Sequence, residues 1–92
     1  MTIEEKERLL AIFHVWSVLG DVLVSVKGTD VLVERHGIFD GFYNGLLYLH
    51  KNKPIDICVN DISFVEFKQK IGIRIHILMQ MNDGTSIEIN PE

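Results

Sequence analysis

The sequence predicts an α+β fold in a single domain, residues 1–92: one N-terminal helix followed by a curved antiparallel sheet of about seven short strands. Two observations carry that expectation. Before Gly20 the apolar residues recur at helical spacing; after it they alternate with a period of two. Gly, Asn, Asp and Pro then punctuate the chain at short intervals, as turns between antiparallel strands require.

The helix is expected over residues 3–19. Thr2 followed by Glu5 forms a capping-box pattern, and Glu4 and Glu5 suit the positive end of the helix dipole. Leu9, Ile12, Phe13 and Trp16 make one stripe, extended by Leu19, and Gly20 is a stop signal. In DVLVSV, Val22, Val24 and Val26 alternate with Leu23 and Ser25. KGTD turns the chain and DVLVERH returns with Val31 and Val33 on one side, which reads as a hairpin. GIFDGFYNG reads as a bent connection with a bulge. GLLYLH is a third strand, PIDICV a fourth and ISFVEFK a fifth. The clearest alternation is IGIRIHILMQM over 71–81: Ile71, Ile73, Ile75, Ile77, Met79 and Met81 on one face, with Gly72, Arg74, His76, Leu78 and Gln80 on the other. NDGT is a turn and SIEI the last strand. Gly28, Gly37, Gly41, Gly45 and Gly72 offer sites for bends in a half-barrel or split barrel.

Composition narrows the functional classes. A chain of 92 residues buries only about 60–65% of its unfolded surface, yet 47% of this one is hydrophobic. Apolar surface left over marks a partner or ligand face, so a homodimer is expected. The net charge of −4 and the lack of a Lys/Arg block argue against nucleic-acid binding. The single Cys58 allows no internal disulfide, the N-terminus lacks signal-peptide character, and no segment reaches the length of a membrane span. A cytoplasmic location is expected.

Searching for chemistry finds no phosphate loop, no paired-Cys motif and no activated serine, so an enzyme is not the expected class. His14 lies beside the helix stripe, His36 before a turn glycine and His76 on the polar face with Arg74; each has an ordinary structural reading. His50 ends an apolar strand close in sequence to Phe42, Tyr43 and Tyr48, a setting in which a histidine can meet a flat ligand and still reach water. Cys58, beside Asp56 and Asn60, is a small hydrophobe or a soft ligand. Met79 and Met81 read as packing.

The order of these features resembles the cytoplasmic haem-utilisation carriers of the HutX/ChuX type. In that family a Trp-bearing helix runs into a Leu-Gly step and a Val-rich hairpin, similar to Trp16-SVLGDVLVSV and DVLVERHG here. A Gly-and-aromatic connection then leads to a strand ending in Leu-His, similar to GLLYLH, and the segments SFV at 63–65 and 71–89 follow in the family's order. The resemblance covers most of the chain after about residue 13. Two departures stand out: family members are longer, and the second family histidine falls at Cys58. The resemblance implies a HemS/ChuX-like half or split barrel, a dimer, and non-covalent haem binding on the curved sheet. It implies His50 as an iron or pocket residue and leaves the second contact open. Haem carriage physically needs an axial donor, with His50 first and Cys58 or Tyr48 behind it, an apolar slot that Phe42, Leu47 and Ile57 help build, and cations for the propionates from Arg35, Arg74, Lys51 or Lys53. The alternative is a small non-enzymatic homo-oligomeric interaction module, of Sm-like or pleckstrin-like barrel form, with no haem role.

Overall fold

A computed structural model describes residues 1–28 and 34–92. Helix α1 spans Ile3–Leu19 and is followed by seven strands, β1 (Leu23–Gly28), β2 (Glu34–Tyr43), β3 (Leu46–Leu49), β4 (Ile55–Asp56), β5 (Ile62–Ile71), β6 (Arg74–Met81) and β7 (Ser86–Pro91). They form one antiparallel sheet in the order β4-β3-β2-β1-β7-β6-β5, which is not closed into a barrel. The expected turn at 27–30 and the alternation of Val31 and Val33 fall largely or wholly on residues 29–33, outside the described residues.

The helix ends form as their residues dictate. Thr2 Oγ1 accepts from the Glu5 amide at 3.1 Å, and the Thr2 amide donates to Glu5 Oε1 at 2.9 Å, so two orphan donors are satisfied reciprocally. The Thr2 amide, aided by the Thr2 hydroxyl, holds the Glu5 carboxyl below its ordinary pKa. At the other end Gly20 adopts φ 78° and donates to the Trp16 carbonyl at 3.1 Å.

Four boundaries differ from the sequence reading. GIFDGFY is not a connection but the second half of β2, paired with β1 up to Ile38 and with β3 beyond it. The bulge expected there does occur, as a register shift between Phe39 and Gly41, and it lets one long strand pair with two partners. The actual turn is Asn44-Gly45, with φ values of 54° and 77°, as a two-residue hairpin loop needs. The fourth strand shrinks to Ile55–Asp56, and Cys58 leads instead into a single 3-10 turn, Val59–Asp61. The strand expected from residue 71 starts at Arg74, because Gly72, at φ 58°, turns the chain between β5 and β6. Nor are all strands short, since β2 and β5 run to ten residues each.

The core is one cluster. Leu9, Ile12, Phe13 and Trp16 from α1 meet Val24, Val26, Phe39, Leu47, Leu49, Ile57, Ile62, Val65, Ile77, Met79 and Ile89 from the strands and the segment after β4. Phe13 stacks on Phe39 at 5.5 Å and meets Phe42 at 5.0 Å, while Trp16 packs edge-on against Phe39 at 5.5 Å. On the other side Trp16 Nε1 donates to the Ile73 carbonyl at 3.2 Å, and the Arg8 guanidinium lies 4.6 Å from the Phe67 ring. α1 therefore touches β2, β5 and the β5–β6 turn at once. In a flat sheet β2 and β5 would lie about 19 Å apart, four strand spacings of ~4.8 Å, against a helix diameter of about 10–12 Å. The sheet must curl around the helix.

Trp16 is fully buried with its one donor satisfied. Replacing it, Trp16→Ala, is expected to cost about 3–5 kcal/mol, as large-to-small core changes do. Urea unfolding followed by circular dichroism measures this; an unchanged midpoint would show that the helix is peripheral to the fold.

Candidate interaction surface

The residues expected to meet a ligand occupy different places on the sheet. Side chains of β3 alternate, so Leu47 and Leu49 enter the core while Tyr48 faces outward opposite Gly41. Phe42 pairs with Leu47 and packs against Phe13, on the inner side. Phe42 and Tyr48 thus face opposite sides of the sheet. Leu47 and Ile57 are fully buried and line no open slot. Arg74 stands at the start of β6, four strands along the sheet from β3. Cys58 is exposed in a groove with Asp56, Asp61 and Asp83, and no group of His, Cys, Asp or Glu suited to holding a metal ion occurs among the described residues.

His50 is exposed on the outer side, its amide bonded to the Ile38 carbonyl at 2.8 Å. Its Nδ1 lies 3.6 Å from Asp40 Oδ2, and Nε2 has no partner among the described residues. Nearby, the Tyr43 and Tyr48 rings pair at 5.9 Å. Tyr43 folds back over Gly41, where a Cβ would lie 2.5 Å from the ring, so the outer strip is shaped by that glycine. Lys51 and Lys53 follow His50, and Arg35 Nη1 donates to the Lys53 carbonyl at 2.6 Å. The structure thus brings His50, Tyr48, Lys51 and Lys53 into one region and leaves Phe42, Cys58 and Arg74 outside it.

The other histidines are engaged within the fold or at its surface. His36 bridges Glu34 at 3.4 Å and Glu92 at 3.0 Å, and His76 Nε2 meets Glu88 Oε1 at 2.6 Å. His14 is exposed on the rim of a groove between α1 and β2, together with Leu10, Phe42 and Tyr43.

A different surface carries the unpaired apolar area. The outward side of α1 exposes Val15 (41%), Val18 (71%) and Leu19 (48%), and the β5–β6 turn beside it exposes Ile71 (76%) and Ile73 (45%). Leu19, Ile71 and Ile73, expected in the inward rows, are therefore surface residues. Between helix and turn runs a groove of about 160 Å³ lined by Arg8, Ala11, Ile12, Val15, Trp16, Ile73 and Ile75, with Arg8 its one charged residue. Ligand pockets run from about 300 Å³ upward, so this groove suits inserted side chains better than a small molecule. The signal was present in the sequence: Leu10, Val15 and Val18 lie off the inward stripe, and a helix apolar on more than one side is a helix with more than one contact.

One end of the sheet is blunt and the other is not. β4 offers two residues at its edge, whereas β5 offers ten. The Met1 ammonium donates to the Ser63 carbonyl at 3.2 Å and covers the beginning of β5. From Phe64 to Gln69 the strand pairs regularly with β6 on one side and, among the described residues, with no strand on the other.

No family model, curated protein or solved structure matches this chain. No helix among the described residues is long and apolar enough to cross a membrane.

Proposed function

We propose that this chain is a non-enzymatic interaction module that acts as a homo-oligomer, with a dimer as the basic unit. The observation that carries this reading is the helix α1, apolar on the side it buries and again at Val15, Val18 and Leu19, exposed in its last turns. Burying an exposed valine or isoleucine is worth about 1.5–3 kcal/mol for full removal from water. Val15 and Ile73 line one small groove, and Val18 and Leu19 on α1 and Ile71 at the end of β5 add exposed apolar surface; together they give a second copy a hydrophobic contact with room for side chains but not for a large ligand. Aliphatic side chains with one arginine at the rim are the composition of a protein contact rather than of a catalytic cleft.

Sedimentation equilibrium over a range of protein concentrations tests the proposal. The native chain is expected to dimerise, and Val15→Glu or Val18→Glu to weaken the dimer by about tenfold or more while far-UV circular dichroism stays native. A native chain that is monomeric at every concentration would contradict the proposal.

Reversible haem binding is the second reading, and one observation favours it. A carboxylate 3.6 Å from Nδ1 of His50 resembles the carboxylate–histidine pairing of metal sites, where the other ring nitrogen is the ligand. The tyrosine pair beside it offers a flat surface, and Lys51 and Lys53 offer cations for propionates. Haem titration decides this reading. It requires a saturable Soret complex in the native chain that is lost in His50→Ala; no complex at stoichiometric haem ends it.

A further inference from the structure

Among the described residues, Glu66 and Lys68 have no hydrogen bond or ion pair within the chain, while their neighbour Lys70 is bonded to Asn90 Oδ1. Both are exposed, lie two residues apart and therefore project from the same face of β5, the strand whose outer edge pairs with no other. An unpaired edge of this length is a template for another strand. Lysines on an edge ordinarily repel such pairing; with Lys70 already bonded to Asn90, Lys68 is the one that needs a carboxylate opposite it.

That condition is met by one partner in particular, β5 itself. When β5 is laid antiparallel to a second β5 about a two-fold axis through Phe67, residue 66 falls opposite residue 68 and residue 68 opposite residue 66. Each Glu66 then meets the Lys68 of the second copy, giving two opposite-charge pairs at the centre. Phe64, 55% exposed, falls opposite Lys70, whose aliphatic stem can cover the ring. Val65 falls opposite Gln69 on the concave side. The window of 64–70 begins just past the carbonyl that Met1 covers and ends just before the residue that Gly72 turns away. Beyond it, Ile71 of one copy approaches Ser63 and the N-terminus of the other, where Ile3 is also exposed.

We propose that two copies of this chain associate by antiparallel pairing of β5 with β5 across a two-fold axis at Phe67, with the register fixed by Glu66 against Lys68. This rests on the homo-oligomer reading and specifies its geometry. It assigns the sheet edge, with the adjoining β5–β6 turn, as the contact, and the α1 flank as the apolar surface gathered beside it.

Charge exchange tests the register. Sedimentation equilibrium at low ionic strength is measured for the native chain, Glu66→Lys, Lys68→Glu and the double variant carrying both. Each single change sets like charges opposite one another twice, and each is expected to weaken the dimer by about tenfold. The double variant restores two opposite-charge pairs with their signs exchanged, and recovers the native dissociation constant within a few-fold. Single variants that dimerise like the native chain, or a double variant that stays weak, would overturn the edge register while leaving self-association through the helix flank intact. A native chain that never dimerises would overturn both proposals.

Discussion

The fold depends on α1 lying in the concavity of an open sheet, with Trp16 and Phe13 as the contact. The sheet consists of two meanders, β1–β4 and β5–β7, whose strands join through the β1–β7 ladder. A second link passes through the helix. Phe13 and Trp16 press on Phe39 of the first meander, while the indole N–H of Trp16 holds the Ile73 carbonyl at the turn of the second. The aromatic rings give the contact its apolar bulk, and the hydrogen bond fixes which way the indole points.

That arrangement also explains why apolar surface is left over. A helix about 10–12 Å across can fill the concavity of a small curled sheet, but it presents only one side to it. Among the described residues, nothing covers the far side of α1 or the β5–β6 turn that meets it. Closing the sheet into a barrel would have removed both edges; the helix occupies the opening instead, and β5 keeps a free edge. The apolar flank and the unpaired edge are two consequences of one geometric choice.

Much of this was legible in the residues. The limits of α1 followed from Thr2, Glu5 and Gly20, because caps are local chemistry satisfied within one turn of helix. The seven strands and the inward row Ile75, Ile77, Met79 and Met81 followed from alternation, which burial on one face imposes. Less legible was anything set by distant partners. GIFDGFY looked like a connection because its glycines and aspartate are poor strand formers, yet pairing with β1 and then β3 overrides propensity. Ile71 and Ile73 continued the isoleucine row in sequence, but Gly72 takes a left-handed conformation, so Ile71 closes β5 and Ile73 lies in the turn before β6. For the candidate ligand residues, the sequence grouped His50 with Phe42, Tyr43 and Tyr48 by their nearness along the chain. It could not show that Phe42 points inward, since the bulge at Phe39–Gly41 shifts the register there. The edge position of β5 was invisible, because strand order is a property of the whole sheet.

Trp16 is the only tryptophan in the chain, so its emission reports on the helix–sheet contact directly. The most direct measurement follows that emission and the hydrogen-exchange protection of sheet amides through one denaturant titration. If α1 holds the two meanders together, the indole becomes solvated at the same denaturant concentration at which amides of β2 and β6 lose protection. An indole that reaches water while both strands stay protected would contradict the account, since the curled sheet would then stand without its helix.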